Sequence, residues 1–436
     1  VEGEQFTAEL LARVLSVDES AILALLNSDL ERKHRLVKAQ SIERKGDTFL
    51  SRYRFQHNLF QRYLYNNLSA IERAHLHEQV GTTLEALCQT EEDLADTAPQ
   101  LARHFAEAQI DEKAIQYLYQ AGKKAVDLSA YSEGIILLKN SLQLLEPTPP
   151  SPEKDRQELA IQLALAVAYQ ATEGTQAPLT LETWTRAYNL SRQTGETLQS
   201  SITLGELSIH RYVRADYQGA ESLANQSRAL ARDTGDPLLI AIGHWYLGLA
   251  LFGLAEFARA QKHFTKTTSF YNNPRQQHQR FVFLRGSDSG LSALAYEGCC
   301  LWLLGYWEQA QDRCLEALAL AREFNHPFTL ADVLTYAGSL YHKMKGDYST
   351  QLACADELLK LLTSYEGGVW HGTILCFRGD ALAKLGLVDE GIAVMEEGIT
   401  INKSDHTSLN LTIYLSSLAE AYAEKGALEE SWAALN

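Results

Sequence analysis

In the second half of the chain a small residue, an aromatic or apolar residue and a second small residue recur in one pattern. The pattern stands as ADYQGA at 215–220, AEFARA at 255–260, GYWEQA at 305–310, GDYSTQ at 346–351, GLVDEG at 386–391 and GALEES at 426–431. The successive spacings are 40, 50, 41, 40 and 40 residues. A period of this length holds one helical hairpin, helix A and helix B joined by short turns. A hairpin has an apolar face that it cannot bury alone, so each repeat must cover its neighbour and the array shares one continuous core.

The pattern has a steric logic. Gly305 lets the chain turn tightly between helices A and B, Trp307 is expected to plug the gap beneath, and Ala310 permits close approach of the next helix. Gly248, Gly298 and Gly379 hold the matching small-residue site within helix A. Earlier segments are less regular: hairpins are expected over 98–122 and 123–145, and a further pair over 155–195. The prolines of PTPPSPEK, 147–154, interrupt helix and favour a spacer. The 50-residue interval hides an insertion near 272–290, NNPRQQHQRFVFLRGSDSG, expected to project as a loop; its Arg275, Arg280 and Arg285 are candidate contacts for an anionic partner, with ordinary loop solvation the favoured reading.

This array resembles tetratricopeptide-repeat (TPR) superhelices, in which the A helices line the concave side. The resemblance places Trp245, Tyr246, Phe252, Tyr296, Trp302, Tyr336, Lys343, Phe377 and Asp380 on the inner surface. Such rings can stack on a sugar, a base or apolar peptide side chains, or they can simply fill a narrow interior. Lys343 and Asp380 are more informative, since a charge in a groove costs desolvation unless it is paired or used.

At the other end, 7–15 and 19–27 carry apolar residues at helical spacing, Asp18 can cap the second helix, and a third helix is expected near 28–35. LVKAQSIE and FLSRYRFQ then flank a turn at Lys45-Gly46-Asp47, a β-hairpin pattern. Three helices followed by a hairpin outline a small winged-helix domain. Residues 31–54 carry Arg32, Lys33, Arg35, Lys38, Arg44, Lys45, Arg52 and Arg54 against three acids, yet 1–88 balances 11 basic against 12 acidic residues. Intramolecular docking or plain solvation is favoured over DNA contact. Helices at 57–67 and 70–88 follow, with Ser69 and Glu72 as a capping box. His75 and His77 point to different sides and are read as structural, not metal ligands.

A net charge of -16 argues against broad nucleic-acid binding. No signal peptide or membrane-spanning stretch is evident, so a cytoplasmic protein is expected. The six cysteines contain no CxxC pair and read as small buried fillers in a reducing compartment. There is no GxxxxGK[ST], HExxH, GxSxG or HRD with a following DFG, so no catalytic motif is present and no enzyme activity is expected of this chain. The last hairpin reads as truncated, which suggests a piece of a larger polypeptide.

Two segments carry a closer resemblance. Residues 53–87, with His57, Tyr65, Arg73 and His77, are similar to the segment after the ATPase module in signal transduction ATPases with numerous domains (STAND). Residues 286–334, with Asp288, Leu301, Trp302, Leu304, Gly305, Ala310 and His326-Pro327, resemble the repeats of such bacterial regulators fused to nucleotide cyclase, protein kinase or helix-turn-helix outputs; Cys299 and Cys300 replace the usual small residues.

The resemblance implies an upstream NTPase module that binds ATP, a winged-helix arm over 1–88 that closes on it, and repeats that sense a small-molecule inducer or protein ligand, with assembly of the intact protein on activation. The expected fold is all-α: a TPR-like helical-hairpin superhelix over 155–436 preceded by degenerate hairpins at 89–146 and the winged-helix arm. A general protein- or peptide-interaction scaffold is the alternative function, followed by a DNA-contacting regulator.

Overall fold

The computed structural model of the chain describes residues 1–45, 48–271, 273–363 and 370–435, with side chains throughout except at 43–45, 48 and 49. Two compact units are formed, one from 1–124 and 136–148, the other from 125–135 and 149–436.

The first unit opens with β1 (Gln5–Thr7), α1 (Ala8–Leu15), α2 (Glu19–Leu25) and a π-helical segment, Leu26–Lys33, followed by β2 (Val37–Lys45) and β3 (Thr48–Phe55). Three helical segments and a hairpin are present as expected; Gly46 and Asp47 of its turn lie outside the described residues. The short β1 was not expected. It pairs with β3 and gives a three-stranded sheet of order β1-β3-β2. Phe6, Val37 and Tyr53 pack there with Ala8, Ala12, Ile22 and Leu26. Asp18 caps α2 through Ser20.

Next come α3 (Asn58–Asn67), α4 (Ala70–Leu87), α5 (Glu91–Glu107), α6 (Asp111–Asp127) and α7 (Tyr131–Leu145). The Ser69–Glu72 capping box forms at the start of α4. Where two hairpins were expected over 98–145 there are three helices, the first beginning earlier than the pattern indicated. His77 is buried, with Nδ1 3.0 Å from His104 Nδ1 and Nε2 3.1 Å from the Tyr65 hydroxyl. Desolvation holds His77 down at about 4 and His104 at about 3, so both rings stay neutral.

The second unit is the repeat array. Its helices are α8 (Pro152–Thr172), α9 (Pro178–Thr194), α10 (Thr197–Val213), α11 (Tyr217–Thr234), α12 (Pro237–Gly253), α13 (Phe257–Thr268), α14 (Pro274–Arg285), α15 (Ser289–Leu303), α16 (Trp307–Phe324) and α17 (Pro327–Val333). A π-helical segment, Leu334–Leu340, continues α17 into α18 (Tyr341–Lys345), before α19 (Tyr348–Thr363), α20 (His371–Lys384), α21 (Val388–Ser404), α22 (Leu411–Lys425) and α23 (Leu428–Leu435).

Every expected A-to-B turn is left-handed: Ala215, Ala255, Gly305, Gly346, Gly386 and Gly426 have φ between 60° and 94°. The close approach of A to B is equally direct. A Cβ on Gly248 would lie 2.6 Å from the Phe264 ring, and one on Gly379 would lie 2.6 Å from Gly391 O. The 41-residue interval between Gly305 and Gly346 coincides with the π-helical segment, which winds an extra residue into the A helix of that repeat.

Two expectations are corrected. Trp307 does not plug the turn: the residue is 65% exposed, with its ring 6.1 Å from that of Trp302 between centroids. The insertion is not a projecting loop. It forms α14, whose Phe281 is fully buried against Phe270 and Tyr271, because QRFVFL supplies the apolar side chains to hold it inside. Five of the six cysteines are buried and all are free thiols. Among the described residues no helix is long and apolar enough to cross a membrane.

Candidate functional site

The inserted helix α14 ends in Arg285, and Gly286 follows with φ 74°, which turns the chain into α15. The guanidinium is buried. Its Nε donates to Glu206 Oε1 on α10 at 2.7 Å and to the Tyr246 hydroxyl on α12 at 3.1 Å, while Nη1 donates to Ser289 Oγ at 2.8 Å. It also lies 4.2 Å from the centre of the Trp245 ring. Burial works against the cation, but Glu206 beside it outweighs that cost and keeps Arg285 charged.

Asp288 caps α15, accepting from the backbone N–H groups of Gly290 at 2.8 Å and Leu291 at 3.1 Å. Its Oδ2 accepts from the Tyr271 hydroxyl at 2.6 Å and lies 2.8 Å from His278 Nδ1. Its own N–H donates to Thr329 Oγ1 at the start of α17. The insertion therefore braces three repeats.

Beside this brace lies a cavity of about 300 Å³. Tyr212 of α10, Trp245 of α12, Tyr296 of α15 and Tyr336 of the π-helical segment supply rings; Arg285 and Asp332 supply charge. Glu173, after α8, and Asp405, after α21, stand exposed at its rim. The backbone N–H groups of Ser408 and Leu409 both donate to Val213 O at 3.0 Å, so the segment after α21 returns to the end of α10 and closes one side.

Several polar atoms of the wall are left over. Trp245 is only 6% exposed, and its Nε1 has no protein partner among the described residues; the same holds for Trp370 Nε1 and Gln176 Oε1. A buried group in that state costs roughly 1–3 kcal/mol unless something in the cavity satisfies it. Desolvation pushes the Asp332 carboxyl up to about 6.

The nine residues expected on the inner surface separate. Trp245, Tyr296 and Tyr336 line the cavity. Tyr246 stands behind Trp245 and donates to Glu206, and Phe252 packs edge-on against Tyr296 at 5.2 Å. Trp302 packs on Tyr341 at 5.6 Å, and Phe377 packs on Tyr414 at 5.5 Å, within the core and away from the cavity. Lys343 Nζ donates to Asp380 Oδ1 at 2.7 Å.

The basic residues that are candidates for an anionic partner differ more. Arg32, Lys33 and Arg35 are exposed, Lys33 lying 3.9 Å from Asp29. Arg275 pairs with Glu323 at 2.8 Å, and Arg280 lies over Phe270 at 5.6 Å. Arg285 is not an outward contact: it is buried and committed to Glu206. Tyr212, Asp332 and Trp370 were not nominated from sequence. The usable signal was the break in period, since the insertion both ends at Arg285 and leads into Asp288.

No family model matches the chain. It is 23% identical over 391 residues to an uncharacterized protein of Rhizobium meliloti, covering 88% of this chain and 37% of the relative. The chain thus spans little more than a third of that relative's length. Among solved structures it is similar to a Rap protein complexed with Competence and Sporulation Factor, with TM-score 0.54 and 14% identity over 86% of this chain and 94% of that one. It is also similar to a STAND protein with a tetratricopeptide repeat sensor from Pyrococcus horikoshii, with TM-score 0.50 and 13% identity over 99% of this chain and 59% of that one. The fold is that of a TPR-like helical-repeat protein with a small sheet at its N-terminus.

Proposed function

We propose that this chain is a ligand-sensing regulatory scaffold whose inducer occupies the cavity of the repeat array. The observation that carries the reading is the buried indole N–H of Trp245, without a partner among the described residues, in a cavity walled by aromatic rings and the Asp332 carboxyl. Pockets of this size and lining suit small molecules. The π-helical segment that presents Tyr336 adds support, because such segments concentrate at functional sites. Occupancy would favour the arrangement in which the 405–409 segment rests on Val213, and a ligand shifts such an equilibrium only by its differential affinity for the two states.

In this reading the first unit is the arm that docks on an NTPase module outside this chain. Its three helices, hairpin and leading strand fit a winged-helix arrangement. Helix α3 buries none of its residues and exposes Leu59, Tyr63 and Leu64, an apolar face suited to such docking. The resemblance to STAND regulators supplies the module's class and its ATP.

Native mass spectrometry of the chain incubated with a small-metabolite extract tests the central point. A discrete small-mass adduct should appear on the wild type and be lost in Trp245→Ala that remains folded by circular dichroism. Adducts only of peptide mass, insensitive to Trp245, would instead establish the peptide-scaffold function and retire the metabolite reading.

A further inference from the structure

We infer that the cavity selects an organic cation, an amine or guanidinium borne on a flat apolar body with an oxygen acceptor at its other end. This rests on the cavity being the ligand site. Of the charged groups in the wall, Arg285 is the one cation among the described residues, and it is already neutralised by Glu206 at 2.7 Å. The acids are Asp288, Asp332, Glu173 and Asp405. Asp288 is engaged by Tyr271, His278 and two backbone N–H groups, whereas Asp332 has no salt-bridge partner among the described residues.

An anionic ligand would have to draw Arg285 away from Glu206 and strand a buried carboxylate, an expensive exchange. A cation meets the opposite situation. It gains Asp332 directly and the aromatic wall to which Tyr212, Tyr296 and Tyr336 contribute, with the rim acids Glu173 and Asp405 drawing it in. Trp245 already carries the Arg285 guanidinium over its ring, so the wall is built to hold positive charge against aromatic faces. The Trp245 and Trp370 N–H groups still need acceptors, which sets the second requirement: an oxygen on the same molecule.

The pH behaviour follows from the groups that face Asp332. Arg285 stays charged, and the phenols of Tyr212, Tyr296 and Tyr336 are raised by burial and stay protonated. Asp332, held at about 6, is the group that titrates near neutrality, so cation affinity should fall as pH drops through that value.

Three probes with one body separate the alternatives: tyramine, its neutral counterpart 4-ethylphenol, and the anion 4-hydroxyphenylacetate, with agmatine and tetraethylammonium as further cations. Calorimetry and thermal shift on the whole 436-residue chain should show that tyramine binds at least tenfold more tightly than either counterpart. Asp332→Asn should erase that preference while 4-ethylphenol is unaffected. Preferential binding of the anion, or binding of none of the cations at millimolar concentration, overturns the inference. If a folded Thr407→Phe variant, which fills the cavity from its edge, binds every probe as the wild type does, the cavity is not the site and the underlying reading falls with it.

Discussion

Two polar clusters sit within the same array, and they differ in whether their partners are taken. At the later one, Asp380 is buried and both carboxylate oxygens are occupied: Lys343 Nζ donates to Oδ1 at 2.7 Å, and Gln351 Nε2 donates to Oδ2 at 2.9 Å. Lys343 reaches on to Ser417 Oγ at 2.8 Å and so ties three repeats together. At the cavity, among the described residues, the Trp245 and Trp370 N–H groups have no partner and Asp332 has no salt bridge. A charge or ring on the inner face is thus no marker of binding in itself. The informative property is an unmet partner that lines a cavity: Gln351 Oε1 is also unpartnered at the later cluster, but it does not line the cavity, whereas the Trp245 and Trp370 N–H groups do.

The contrast predicts opposite responses to the same chemical change. Asp380→Asn should destabilise the chain by about 2–3 kcal/mol, below the usual 3–5 kcal/mol for breaking a buried pair because Lys343 is partly hydrated. Asp332→Asn at pH 8 should be neutral or stabilising, since the folded state there carries an ionised carboxyl that it disfavours. Urea titrations of both variants check the pair. Equal losses would mean that Asp332 is as structurally engaged as Asp380, and the distinction between the clusters would collapse.

A pH series sharpens the same point. His244 Nδ1 lies 2.8 Å from His263 Nδ1, and burial holds each ring down at about 4. Unfolded histidine takes its proton near 6.5, so between that pH and about 4 the unfolded chain binds more protons and stability falls as pH falls. Above the upper limit the contribution is complete. His263 is only half-buried, so the loss for this pair should be about 2 kcal/mol between pH 7.5 and 4.5. Asp332 works in the opposite sense, because its raised folded value favours the fold as pH drops through about 6. Asp332→Asn should therefore steepen the acid loss, and His263→Asn should flatten it; urea midpoints at five pH values read both slopes.

The array was legible because its constraint is local and repeated. Glycine at 305, 346, 386 and 426 answers a backbone requirement that can be seen without a structure, and Gly248 and Gly379 answer a steric one. The cavity was legible only in part. Trp245, Tyr296 and Tyr336 follow from facing positions on successive A helices, but Trp302 and Phe377 obey the same rule and end in the core. Asp332 sits in a helix like any surface acid, and Arg285 in an insertion reads as a solvated loop. The role of Arg285 arises from contacts with α10 and α12, about eighty and forty residues away, and that of Asp332 from the cavity it lines, neither of which periodicity encodes. In the first unit β1 escaped notice because three residues carry no period.

The smallest effect concerns the turns themselves, where sequence and structure agree on geometry but not on residue. Ala255 adopts φ 60° in a position that later repeats fill with glycine, and an L side chain there costs roughly 1 kcal/mol. Glycine would remove that strain but adds freedom to the unfolded chain, which offsets part of the gain. Ala255→Gly should thus stabilise by only about 0.5 kcal/mol, a rise of about 1 °C in Tm. Gly305→Ala is the converse. A Cβ there would meet nothing within 4 Å, so its expected loss of about 1 kcal/mol comes from the backbone alone. Neither change should alter ligand affinity, since neither turn residue lines the cavity. A loss of binding in either would show that strain at the turns reaches the cavity, and that the open cluster is held by the repeat geometry as firmly as the closed one.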